Sequence, residues 1–233
     1  MDLWSTRRGP LVAAFSSRGE APPGAPSATA HLARLLAEAI GHPEIPIARA
    51  TQVHGKRVLP LREPIAPGET RELGEGDVLV TAHAGVALAV QTADCVPILL
   101  WGGGGVAAVH AGWRGTAMGA AGEGVRALAR ESGERPEAFS AVLGPAIGAC
   151  CYEVGGDVAS AFAGDFVRRG CGGKFRLDLK AANRAQLEGE GLLPGNIDVL
   201  PFCTLCGGPR FASYRRDGTG AGRMIGLVAR IAP

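Results

Sequence analysis

With 233 residues, a hydrophobic fraction of 46% and a formal net charge of +2, the chain has apolar material for one large domain or two small ones and no charge bias toward nucleic acid or membrane surfaces. Aromatic residues make up only 5%, which argues against a base-stacking platform for single strands. The six cysteines follow no secretory signal, since the one early apolar run is Leu11 to Phe15, and Gln91 and Asp94 interrupt the best spanning candidate; a reducing, cytoplasmic setting is expected.

In chain order, Leu11 to Phe15 predicts a strand and the Pro/Gly/Ala-rich Glu20 to Ser27 a loop. Thr29 to Ile40 predicts a helix with Leu32, Leu35, Leu36 and Ile40 on one face, closed by Gly41. Strands are expected over Ile47 to Val53 and Arg57 to Leu61, with His54-Gly55 at the turn between them. Ile65 to Gly76 is polar and reads as a loop. The centre is dense in strands: Asp77 to Thr81, Val86 to Val90, Pro97 to Trp101 and Val106 to His110. Gly102 to Gly105 reads as a hairpin connection and not as a phosphate cradle, because no Lys-Ser/Thr pair or helix start follows it. One Ala-rich helix is expected over Thr116 to Glu131, a strand over Phe139 to Leu143, and helices over Asp157 to Phe162 and Leu179 to Leu187. Ile197 to Phe202, Phe211 to Tyr214 and Met224 to Ile231 read as strands. No repeat and no linker is evident, so residues 1–233 read as a single α/β (α+β) domain of mixed strand order.

The chemistry is concentrated in His54, Cys95 and His110. Two imidazoles and a thiolate are a tight ligand set for Zn²⁺, and three protein ligands leave a fourth tetrahedral position open, as in catalytic sites. Their spacing matches no standard finger or HExxH pattern; the stronger signal is that both histidines end strand-like runs and Cys95 interrupts one. Two other readings stand beside it. A free Cys is often a small core hydrophobe flanked here by two loop histidines, or it is a thiol nucleophile with His as its base. Cys203-x-x-Cys206 is a lone CxxC and reads as a turn with two small buried residues, and the vicinal Cys150-Cys151 do not pair with each other without strain.

Thr51-Gln52-Val53-His54-Gly55, Thr92-Ala93-Asp94-Cys95-Val96-Pro97, His110-Ala111-Gly112-Trp113-Arg114-Gly115, Leu143 to Gly148, Cys151-Tyr152-Glu153-Val154-Gly155 and Phe211 to Asp217 together resemble the YfiH family, from about Ile47 to the C-terminus. Members of that family carry the labels polyphenol oxidase, laccase-domain protein and peptidoglycan-editing factor. The resemblance implies mixed β-sheets flanked by helices in an α/β/β/α layering, similar to the cysteine-hydrolase domain of cytotoxic necrotizing toxins. It implies phosphorolysis of adenosine, inosine and methylthioadenosine to free base and ribose 1-phosphate, with adenosine deamination as well. It also implies His54, Cys95 and His110 as zinc ligands. The chain departs from the family pattern between about residues 16 and 30, where Ser17-Arg18-Gly19 runs into Glu20 to Ser27 and the family's Ser-Leu-Asn-Leu-Gly element is absent.

Phosphorolysis needs an anion site, for which the planar fork of Arg is suited. Arg114 is the first candidate, against the bland reading of a surface ion pair at a helix start; Arg18, Gln52 and Arg215 are expected substrate contacts. Deamination needs a proton carrier, placed on Asp77 or Asp94, with Asp94 alternatively orienting a histidine. Catalytic roles are accordingly expected for Cys95, Asp77 and Arg114. Tyr214 and Trp113 offer stacking surfaces, although packing is the commoner use of such residues. The leading reading is a zinc-dependent purine nucleoside enzyme acting on a small molecule and phosphate, monomeric, without nucleic-acid or membrane partners. The alternatives are a metal-independent Cys–His amidohydrolase editing peptidoglycan precursors, a non-enzymatic binding module, and copper-dependent phenol oxidation. Five histidines are too few for multicopper chemistry, although Cu²⁺ can occupy the zinc site.

Overall fold

The computed structural model describes residues 3–19 and 28–231, so the expected Glu20–Ser27 loop lies outside the described residues. The elements run β1 (Leu3–Arg8), β2 (Leu11–Ser16), α1 (Ala28–Ala39), β3 (Ile47–Thr51), β4 (Val58–Pro60), β5 (Thr70–Glu75), β6 (Val78–Thr81), β7 (Val86–Thr92), β8 (Val96–Trp101) and β9 (Val106–Ala111). They continue through α2 (Trp113–Ala117), α3 (Ala120–Ser132), β10 (Ser140–Leu143), β11 (Glu153–Val154), α4 (Gly156–Ala159), β12 (Val167–Arg169), β13 (Phe175–Leu177), α5 (Leu179–Gly189), β14 (Ile197–Val199), α6 (Tyr214–Asp217) and β15 (Met224–Arg230).

Two six-stranded mixed sheets carry the fold. The first has the order β1-β2-β15-β7-β3-β5, the second β14-β10-β8-β9-β6-β4; β11, β13 and β12 form a small third sheet. Alternation along the central strands explains the layering, because successive side chains of a strand face opposite sides. In β7, Leu88 and Val90 enter the core between the two sheets, while Ala87 and Ala89 face α1. In β8, Leu99 and Trp101 enter that same inter-sheet core, while Ile98 and Leu100 face the helices on the far side. Leu32 and Leu36 of α1 close one outer layer; Val125 and Leu128 of α3 with Leu187 of α5 close the other. Each fully buried aliphatic side chain contributes about 1.5–3 kcal/mol, and apolar strands with no polar face are what a sheet covered on both sides requires. The result is the α/β/β/α layering that the family resemblance implied.

Several elements depart from expectation. Thr70–Glu75, expected as loop, is β5, pairing in parallel with β3 at the sheet edge; an edge strand with both faces partly in water carries no apolar alternation to read. The polar β1 hairpin partner has the same cause. The helix expected over Thr116–Glu131 is two helices, because the chain turns through a left-handed Gly119 (φ +87°). Phe211–Tyr214 is not a strand: Phe211 and Ala212 are buried, Ser213 caps α6 by accepting from the Arg216 N–H at 3.3 Å, and α6 then starts at Tyr214.

The first and second sheets are linked by the segments β3 to β4, β5 to β6 and β7 to β8. His54 lies in the first of these crossings, Asp77 in the second and Cys95 in the third. One end of the sandwich thereby gathers three chemically capable residues beside His110 of β9.

Candidate metal centre and cleft

One buried carboxylate organises the site. Asp77 is 1% exposed, and its oxygens accept the backbone N–H groups of His54 at 2.9 Å and Gly55 at 2.7 Å. The same carboxylate meets Nδ1 of His110 at 2.8 Å. It therefore fixes the turn that carries one histidine and the ring of the other. With Nδ1 so engaged, Nε2 of His110 is the nitrogen left for a metal, the arrangement in which an outer carboxylate sets ring orientation and raises ligand basicity. The imidazoles of His54 and His110 pack edge to face, 4.8 Å between centroids.

The ligand atoms of His54, Cys95 and His110 all lie within 4.8 Å of one another. A tetrahedral zinc needs its N and S ligands about 3.3–3.6 Å apart, so small side-chain adjustments suffice. Gly112 makes the approach feasible: a Cβ there would sit 3.0 Å from Sγ of Cys95 and 3.0 Å from Cδ2 of His54. Both sequence neighbours of the open side are strained, with His54 at φ +60° and Asp94 at φ +89°, the two non-glycine residues in that region among those described.

Electrostatics suit a thiolate. Burial pushes the Cys95 thiol up, but hydrogen bonds from His110 and His54 outweigh it and bring the group down to about 6. Burial opposes charge on His110 too, yet Asp77 and Cys95 raise it to about 9. Asp77 is held below the usual carboxylate range because hydrogen bonds from His110 and the Gly55 and His54 amides overcome its burial. Without metal these three groups form a carboxylate–imidazolium–thiolate row.

The row opens on a cleft of about 590 Å³, a size ordinary for a small-molecule site. Arg114, Arg215 and Arg223 line it with Gln52, Trp113, Tyr152 and Tyr214. Arg114 lies over the Trp113 ring at 4.4 Å, and Arg215 lies over Tyr152 at 5.4 Å. Burial, then the nearby Cys95, pushes the Tyr152 hydroxyl up to about 12.

The expected residues are thus distributed as follows. His54, Cys95, His110, Arg114, Gln52 and Arg215 converge on the cleft. Gln52 turns its amide onto Gln91, donating to the carbonyl and accepting from the N–H, both at 2.8 Å. Asp77 does not line the cleft; it stands behind His110, where a proton carrier cannot meet a substrate. Asp94 lines the cleft but orients no histidine. Its carboxylate accepts from Thr204 Oγ1 and from the Arg215 N–H at 2.7 Å. Arg18 pairs with Asp217 at 3.2 Å and is outside the cleft lining. Tyr152 and Arg223 were not anticipated. Tyr152 sits within a quoted motif, whereas Arg223 follows a glycine-rich stretch with no local signal.

A family model described as multi-copper polyphenol oxidoreductase laccase matches residues 19–231. A purine nucleoside phosphorylase of Deinococcus radiodurans is 43% identical over 204 residues, covering 84% of this chain and 76% of the relative. The adenosine deaminase RL5, from an unknown prokaryotic organism, is 40% identical over 163 residues, 66% of this chain and 62% of its own length. The crystal structure of YlmD from Geobacillus stearothermophilus superposes with a TM-score of 0.80 at 31% identity, covering 96% of this chain and 93% of that one.

Proposed function

The chain belongs to the multi-copper polyphenol oxidoreductase laccase family, and from that premise we propose that it is a zinc-dependent purine nucleoside phosphorylase that releases free base and ribose 1-phosphate from adenosine, inosine and methylthioadenosine. The observation that carries the reading is one cleft holding a three-ligand set, three arginines and aromatic walls. Relatives named purine nucleoside phosphorylase support it. Among the described residues Asp94 is the sole carboxylate lining that cleft, and both its oxygens are already bonded. The cleft is therefore suited to an anion.

His54, Cys95 and His110 would hold the metal, which would supply a Lewis-acid charge to the cleft. In phosphorolysis a phosphate oxygen bonds to C1′ of the ribose while the bond from C1′ to the purine nitrogen breaks, the base leaving with the electron pair and taking up a proton. Arg114 and Arg215, both at the cleft wall, hold the phosphate. Tyr152, at the cleft wall and kept protonated across the neutral range, would offer its hydroxyl proton to a bound substrate. Trp113 and Tyr214 offer faces for the purine. Asp77 is a positioning residue that acts through both histidines. The relative named adenosine deaminase supports deamination as a second activity of the same cleft.

A second reading rests on the carboxylate–imidazolium–thiolate row itself, which is the geometry of a Cys–His amidohydrolase. Multicopper oxidation is disfavoured because only two of the five histidines join a ligand group among the described residues. Release of free base from adenosine and inosine by zinc-loaded protein, with and without phosphate, tests the proposal. Phosphate-dependent release that Cys95→Ala abolishes supports it. Absence of base and of inosine, or turnover that persists after chelation, overturns it.

A further inference from the structure

Away from the cleft floor, two turns that are distant in sequence bring four thiols together. Cys150 and Cys151 lie in the turn after β10, Cys203 and Cys206 in the turn after β14, and their sulfurs all lie within 4.8 Å of one another. We propose that these four cysteines bind a second metal ion, a structural Zn²⁺ in a closed tetrathiolate site.

Three observations carry the assignment. A tetrahedral Zn–S₄ centre with Zn–S near 2.3 Å has sulfurs about 3.8 Å apart, and Cys150 Sγ stands 3.7 Å from Cys206 Sγ. A disulfide needs roughly 2.05 Å, so the spacing is that of co-ligands. The two turns are also built around the sulfurs. The Gly148 N–H donates to Cys203 Sγ at 3.3 Å, and the Leu205 and Cys206 amides face the same atom. Gly148 leaves the space open, since a Cβ there would lie 3.2 Å from Cys150 Sγ and 3.3 Å from Cys203 Cβ. Backbone hydrogen bonds hold this arrangement independently of any ion: Thr204 N–H to the Ala146 carbonyl at 3.0 Å joins the two turns, and Gly207 N–H to the Cys203 carbonyl at 2.9 Å closes the second.

Charge is accommodated as well. Four thiolates around Zn²⁺ leave an excess of two negative charges, and two cations stand beside the turns. Lys180 donates to the Leu200 and Phe202 carbonyls at 2.7 and 3.0 Å, and Arg176, which also pairs with Glu153 at 2.9 Å, donates to the Cys150 carbonyl at 2.6 Å. Four protein ligands leave no open position, which separates this centre from the three-ligand one. Its consequence lies in the cleft wall. Ile147 and Tyr152 flank the first pair of cysteines and line the cleft, while Thr204, between the second pair, donates to Asp94 beside Cys95. An ion joining the turns holds that wall in place.

The test is metal content of the wild-type chain purified from zinc-supplemented culture under reducing conditions and then desalted, measured by elemental mass spectrometry. Two zinc equivalents per chain are expected. One remains in His54→Ala, and one remains in Cys206→Ser. Cobalt(II) loaded into the His54→Ala protein gives an intense thiolate-to-cobalt charge-transfer band, lost when Cys206→Ser is added. One equivalent in wild type that disappears in His54→Ala, with rapid alkylation of all four cysteines in the native protein, overturns the site. Iron with inorganic sulfide in place of zinc, or a Cys150–Cys206 disulfide in peptide maps of reduced-purified protein, overturns it too. These readouts do not depend on nucleoside turnover, so failure of the phosphorylase reading leaves them intact.

Discussion

The two sulfur-bearing centres differ in what holds them. Cys95 and its histidines sit at the ends of central strands, where three chain crossings meet over the inter-sheet core, and a buried Asp77 stands behind them. The four-cysteine cluster sits on two turns, with Cys150 and Cys206 exposed. The first has three donors and opens on a cleft; the second has four, two of them exposed at the surface. A site that must present a free coordination position is preorganised by rigid elements. One that only fastens loops can be assembled from the loops themselves, because the ion completes the structure.

The strongest way to break this contrast is Cys95→Ala. Base release is expected to fall by several orders of magnitude, to the uncatalysed background, while circular dichroism and melting temperature stay near wild type. A collapsed fold would show that the centre is structural after all. Next in size is a difference in thiol reactivity. In metal-free protein Cys95 is a thiolate above about pH 6, instead of the ordinary 9, and His110 remains imidazolium up to about 9. Raising the pH through 6 therefore switches on its alkylation, and deprotonation of His110 above 9 weakens the pairing. Iodoacetamide labelling of the Cys95 peptide, followed by mass spectrometry, is expected to have its midpoint near pH 6; a midpoint near 9 overturns the thiolate assignment.

Asp77→Asn is expected to weaken zinc binding by about 10–100-fold, the range for losing a carboxylate behind a ligating histidine. It should also cost about 1–3 kcal/mol of stability, since its amide end cannot accept all the bonds that the carboxylate takes. Zinc competition titrations and chemical denaturation measure the two effects. Gly112→Ala places a methyl against Cys95 and His54, and overpacking of this kind costs about 1–3 kcal/mol, read as roughly tenfold weaker zinc affinity with the four-cysteine equivalent unchanged. The smallest effect belongs to Tyr214→Ala. The residue is 57% exposed and lines the cleft, and loss of one stacking face is expected to raise KM for nucleoside a few-fold with kcat held; an unchanged KM removes Tyr214 from the purine site.

The layered core was legible because Val86 to Val90 of β7, all of β8 and Val106 to Val109 of β9 are uninterrupted apolar runs, and such runs have few places to go besides a covered sheet. β5 was not, since an edge strand with the sequence Thr-Arg-Glu-Leu-Gly-Glu has no face to declare. The cleft follows the same rule. His54, Cys95 and His110 stand in recognisable local motifs, so their convergence could be expected. Asp77 was singled out, but a sequence does not say on which side of an imidazole a carboxylate stands. Cys203-x-x-Cys206 reads in the sequence as a turn with two small buried residues, but Cys206 is exposed and Cys203 half-buried; their companions lie at Cys150-Cys151, and only the packing of two turns joins them. Periodicity reports which face of an element is buried, and it carries no information about which turns meet.

The left-handed backbone at His54 and Asp94 has a consequence for anyone improving this protein. Each such conformation costs roughly 1–3 kcal/mol, and glycine adopts it without penalty. A selection scored on heat resistance alone would reward glycine at position 54, gaining thermal margin as it discards a metal ligand. Robustness and chemistry pull in opposite directions at that residue, so directed evolution of this chain needs a turnover screen from its first round.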